Sequence, residues 1–82
     1  MWTEKNNALT ASFQFSNFVE AFSFMTAVAF HAEKQNHHPN WSNVWNSVEI
    51  SLSTHDAGNI VTEKDHKLAK SIDEVYAKYR KA

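Results

Sequence analysis

The chain has 82 residues, 43% of them hydrophobic, with one Gly, one Pro and no Cys; that fits one compact domain spanning 1–82 and excludes disulfides, thiolate metal sites and cysteine nucleophiles. Eight Lys and Arg against nine Asp and Glu give a formal charge of −1, so no basic excess is present to neutralise a phosphate backbone and nucleic acid is not an expected partner. No apolar run approaches the roughly 20 residues of a membrane span, and the opening Met1-Trp2-Thr3-Glu4-Lys5 lacks the basic-then-apolar pattern of a signal peptide, which makes the cytoplasm the expected compartment.

Leu9, Ala11, Phe13 and Phe15 alternate with Thr10, Ser12 and Gln14, the pattern of a half-buried strand. Trp2-Thr3-Glu4 can pair with it through a turn at Lys5-Asn6-Asn7, since Asn tolerates left-handed geometry. Ser16 suits a helix N-cap, and Phe18, Phe22, Met25 and Ala29 mark one helical face. Pro39 forces His38 towards extended geometry, so the helix should stop near Asn36. Val44, Val48, Ile50 and Leu52 then alternate with polar residues as one further strand, with Asn46 as a polar intruder. Thr54 to Val61 reads as a loop holding the only glycine, Gly58. Thr62-Glu63-Lys64-Asp65 has capping-box spacing with Asp in place of Glu, and Leu68, Ile72, Val75 and Tyr79 give the apolar face of a second helix. Antiparallel strands with helices on one face make an α+β sandwich of two layers, its sheet having three to four strands and an exposed edge.

Histidine is the compositional oddity: four of the five lie between Glu33 and His66. Glu33 and His37 are four apart and meet on one face if the helix persists that far, where a carboxylate orients an imidazole and favours its protonated form. Pro39 fixes the chain's exit, so His37 and His38 should point in different directions. His55 follows the last strand directly, a common place for functional groups. A single surface histidine is ordinarily just polar, and His31 and His66 stay in that category. Three histidines and a carboxylate could ligate zinc in a metal hydrolase. Adjacent His37 and His38 cannot easily aim both rings at one ion, so no metal site is expected.

Taken together, Glu33, His37-His38-Pro39, the aromatic Trp45, Ser53-Thr54-His55 and Asp65 opening a helix resemble the signature of the pterin-4a-carbinolamine dehydratase family. Phe22-Ser23-Phe24-Met25-Thr26 before it and Ile50-Ser51-Leu52-Ser53-Thr54-His55-Asp56-Ala57-Gly58 after it also look like that family's segments, so the resemblance covers Trp2 to Tyr79. Two departures stand out. The family's usual helix before the first strand is not expected here, since the chain begins where that helix would end, and Asn36 stands where some relatives have Asp. The resemblance implies a lyase that dehydrates 4a-hydroxytetrahydrobiopterin to quinonoid dihydropterin, with no cofactor, in tetrahydrobiopterin recycling beside an aromatic amino acid hydroxylase. It further implies His37, His38, His55, Asp65 and Glu33 as the catalytic set, and Asn36, Ser53, Thr54 and Asp56 as further contacts to the pterin. Relatives are homodimers or homotetramers, and the small core and open sheet edge point the same way. The alternative is a binding module, pterin-related or a transcription cofactor, with little catalytic activity.

Overall fold

A computed structural model describes residues 2–79. Across them, β1 (Thr3–Lys5) and β2 (Ala8–Gln14) form a hairpin, followed by α1 (Phe18–Gln35), a second hairpin of β3 (Asn40–Val44) and β4 (Ser47–Leu52), a 3-10 turn at His55–Ala57, and α2 (Glu63–Ala77). The strand order is β1-β2-β4-β3, antiparallel throughout. In the central pair Leu9 faces Leu52, Ala11 faces Ile50 and Phe13 faces Val48, so the alternation expected for β2 and β4 becomes one apolar face. Both helices cover that face, burying Ala21, Phe24, Val28 and Ala32 of α1 and Leu68, Ile72 and Val75 of α2. This is the two-layer α+β sandwich expected.

Asn6 and Asn7 take φ of 54° and 64°, the left-handed pair that a two-residue hairpin turn needs and that Asn adopts at low cost. The cap of α1 lies one residue later than expected. Asn17, not Ser16, is the N-cap, its Oδ1 accepting the Glu20 N–H at 2.9 Å. Ser16 instead donates its backbone N–H to the Glu20 carboxylate at 3.0 Å, tying down the chain just before the helix.

The apolar face of α1 is also corrected. Phe18 and Phe22 are about half exposed and Ala29 is exposed, while Phe24 is fully buried and Met25 partly so. The helix is apolar on two sides, so periodicity alone cannot say which side meets the sheet. Contact selects Ala21, Phe24, Val28 and Ala32, whose three small members let the backbone approach the strands.

The single strand expected through Val44 is two strands joined by a turn at Trp45-Asn46, with Trp45 at φ 50°. Val44 is three-quarters exposed. Asn46, the expected intruder, is a pin. Its Nδ2 donates to the Phe15 carbonyl at 2.9 Å, and its own carbonyl accepts the Phe15 N–H at 2.9 Å. Asn43 Nδ2 closes the hairpin by donating to the Ser47 carbonyl at 2.9 Å.

Candidate active site

The ends of α1 and β4 and the start of α2 meet at one side of the sandwich. α1 stops at Gln35 because Asn36 takes a left-handed conformation (φ 53°) and returns its N–H to Glu33. The next residue, His37, is thus thrown off the helix. β4 ends at Leu52 and delivers Ser53 and Thr54, after which the 3-10 turn carries His55 and Asp56. α2 begins at Thr62 in the expected capping box: Thr62 Oγ1 accepts the Lys64 N–H, and the Asp65 carboxylate accepts the Thr62 N–H at 2.8 Å. Between these ends lies a cleft of about 280 Å³ lined by Asn36, His37, His38, Ser53, Thr54, His55, Asp56 and Lys64.

Asp65 is fully buried directly behind His37, with Oδ1 2.6 Å from His37 Nε2. Its Oδ2 accepts the Thr54 hydroxyl and the Thr62 N–H, both at 2.8 Å. Burial pushes the Asp65 carboxyl upward. The hydrogen bonds from His37, the Thr62 backbone and Thr54, with the charge interaction to His37, outweigh it and hold the group below the usual carboxylate range. An ionised Asp65 only accepts, so His37 Nε2 carries a proton and Nδ1 is the ring nitrogen left for a substrate. His38 is bound differently, Nε2 lying 3.0 Å from the exposed Glu33 carboxylate. His55 Nδ1 sits 3.0 Å from Asn59 Oδ1, which leaves Nε2 for the cleft.

The family model for pterin 4 alpha carbinolamine dehydratase matches residues 1–75. The chain belongs to that family. It is 60% identical over 74 residues to a protein of Christiangramia forsetii named "Putative pterin-4-alpha-carbinolamine dehydratase", covering 90% of this chain and 75% of that one. A protein of the same name from Prochlorococcus marinus subsp. pastoris is 52% identical over 77 residues, covering 94% of this chain and 79% of its own. Among solved structures, a transcriptional coactivator/pterin dehydratase from Brucella melitensis superposes with a TM-score of 0.87 at 42% identity, over 92% of this chain and 81% of that one. A pterin dehydratase-like protein identified as a RuBisCO assembly factor in the alpha-carboxysome shares the fold, with a TM-score of 0.77 at 24% identity over 92% of this chain and 88% of its own.

Within this family fold, most residues of the sequence signature do converge. Asn36, His37, His38, Ser53, Thr54, His55 and Asp56 share the cleft, while Asp65 stands behind His37 and Glu33 outside the lining, beside His38. One pairing is corrected: Glu33 binds His38 and not His37, because the helix ends before His37 can continue its face. His37 and His38 do diverge, as Pro39 implied. Trp45 lies away from the cleft in the β3–β4 turn, and His31 and His66 are not among its lining residues. Two participants were not singled out from sequence. Lys64 lines the cleft, and Thr62 contacts Thr54 as well as capping α2. Their signal was the capping box itself, which places the first turn of α2 wherever Asp65 goes.

Proposed function

We propose that this chain dehydrates a 4a-hydroxytetrahydropterin to quinonoid dihydropterin and water by histidine acid–base chemistry. The observation that supports this best is the set of three imidazoles on one cleft of about 280 Å³, one of them braced by a buried carboxylate. The reaction asks for two proton transfers. A ring N–H loses its proton to a base, the 4a carbon–oxygen bond breaks, and the hydroxyl leaves as water with a proton from an acid. Histidine suits both tasks near neutral pH, each typically contributing about 10²–10⁴-fold.

In this reading His37 takes the ring proton at Nδ1, and Asp65 stabilises the imidazolium that forms. Protonated His55 delivers the other proton from Nε2. His38, supported by Glu33, holds the substrate and assists as an acid. Asn36, Ser53 and Asp56 hydrogen-bond the pterin. No step requires an electrophilic metal. The substrate would come from an aromatic amino acid hydroxylase that uses tetrahydropterin and oxygen, so the enzyme serves tetrahydropterin recycling, in the cytoplasm and as a homo-oligomer.

A second reading, a transcription-cofactor module, draws on the coactivator description of the Brucella structure. The complete histidine set favours catalysis, since a pure binding module gives no reason to brace His37 on a buried charge. Purified protein dialysed against a chelator should speed the absorbance change as hydroxylase-generated 4a-hydroxytetrahydropterin dehydrates. Loss of the acceleration on chelation would rule out the metal-free mechanism.

A further inference from the structure

The hydrogen bonds behind His37 run in one direction, and chemistry forces that direction. The Lys64 N–H donates to Thr62 Oγ1 at 3.2 Å. Thr62 Oγ1 and Thr54 Oγ1 lie 2.6 Å apart, and Thr54 Oγ1 lies 2.8 Å from Asp65 Oδ2. A carboxylate has no proton to give, so the Thr54 hydroxyl donates its single proton to Asp65. Thr62 must then donate its own hydroxyl proton to Thr54. The chain of donors starts at the backbone of the first turn of α2 and ends on Asp65.

We propose that Thr54 and Thr62 are positioning residues for the dehydration, a hydroxyl relay that holds the Asp65 carboxylate in one orientation and so keeps the proton of neutral His37 on Nε2 and its Nδ1 open to substrate. Thr54 is 5% exposed and Asp65 is fully buried, so water competes little for these bonds, and successive bonds in such a chain polarise one another. The relay also fixes the base of the loop that carries His55. Thr54 pairs with Ile60 across that loop, its N–H reaching the Ile60 carbonyl at 2.8 Å, and its carbonyl accepts from Ala57 and Asn59. One residue therefore braces the carboxylate behind His37 and anchors the turn that presents His55. The Thr54 side chain is engaged inward by these contacts.

This inference deepens the dehydratase reading and rests on it for the role of His37. Its test uses Thr54→Val, which keeps the shape and removes the hydroxyl, and Thr54→Ser, which keeps the hydroxyl. Loss of the partner that orients a metal-bound histidine typically costs about 10–100-fold, and the same order is expected for the partner that orients Asp65 behind His37. Thr54→Val should lower kcat by that factor with little change in KM, and Thr54→Ser should restore it. In ¹⁵N imidazole spectra taken without substrate, neutral His37 should carry its proton on Nε2 in the wild type and become a tautomer mixture in Thr54→Val. A folded Thr54→Val with wild-type kcat and an unchanged His37 tautomer would overturn the relay. Should that variant not fold, the wild-type Thr54 and Thr62 hydroxyl protons decide the matter: slow exchange with water supports the relay and rapid exchange refutes it. The tautomer is read on the free protein, so a chain that dehydrated no pterin would refute the dehydratase reading while the spectra still decided the relay.

Discussion

Asp65 has no solvent exposure, and three donors converge on its two oxygens. Replacing it with Asn keeps an acceptor for Thr54 and Thr62 but turns an amide N–H towards His37 Nε2. His37 can satisfy that donor only by moving its proton to Nδ1, which removes the lone pair that would act as base. Asp65→Asn should therefore fold with a small change in Tm yet lose roughly 10²-fold or more in kcat; full activity would leave Asp65 with only its capping role. The carboxyl also makes stability depend on acid. Its folded pKa is depressed, so its contribution is complete above the ordinary carboxylate value of about 3.9 and is lost as pH falls from there through the folded value. Urea midpoints of wild type and Asp65→Asn should thus converge as pH is lowered through that range, whereas a constant difference would show that the charge adds nothing. Among the histidines, His37→Ala and His55→Ala should each lower turnover by about 10²-fold or more, and His31→Ala and His66→Ala should not. Equal damage from His66→Ala would misplace the site.

The elements add a test of packing. α1 carries two apolar faces. Phe24, fully buried, packs between Phe13 and Phe15 at ring distances of 5.1 and 4.9 Å, while Phe22 is about half exposed. Phe24→Ala should cost about 3–5 kcal/mol in urea unfolding, as core aromatics do, and Phe22→Ala should stay within about 1 kcal/mol in the monomer. Reversed costs would mean that the helix sits rotated on the sheet. Sequence showed that a helix starts near Phe18 and ends near Asn36, because a capping residue, read as Ser16 and found to be Asn17, and Pro39 punctuate it. It did not show which face is buried, since 18-22-25-29 and 21-24-28-32 have the same period. β3 was hidden for another reason: Asn40-Trp41-Ser42-Asn43-Val44 mixes one apolar residue with polar ones on each face and lies on the sheet edge, where nothing is fully buried. The turn after it depends on Trp45 taking positive φ, which is unfavourable for a bulky residue, and on Asn46 reaching the distant Phe15 carbonyl, which no local turn signal encodes. α2 was legible from its capping box and from Leu68, Ile72 and Val75, but the helix ends at Ala77, so Tyr79 packs on the core from the turn beyond it.

For the molecule as a whole, the outward face of α1 is the least satisfied surface. Phe18, Val19, Phe22 and Phe30 line an apolar hollow of about 520 Å³, while Phe24 on the opposite side is in the core. A second copy laid against this uncharged strip about a two-fold axis would cover it, and a core this small gains from such burial. Light scattering at micromolar concentration should report at least twice the 9.4 kDa chain mass, and Phe22→Glu should lower it. A wild type that stays at the chain mass would show that one small core suffices. The candidate residues were picked out by the family resemblance, and most of them gather where α1 and β4 end and α2 begins. The pairing of each histidine was not legible, because His37 meets Asp65 across 28 residues of sequence. The central claim is that histidines at this cleft remove water from the pterin. The most direct measurement is the dehydration rate of hydroxylase-generated 4a-hydroxytetrahydropterin with wild type and with a folded His37→Ala, His55→Ala double variant. The wild type should exceed the uncatalysed rate and the double variant should lose at least about 10²-fold of that gain; a wild type no faster than buffer, or a double variant as fast as wild type, would contradict it.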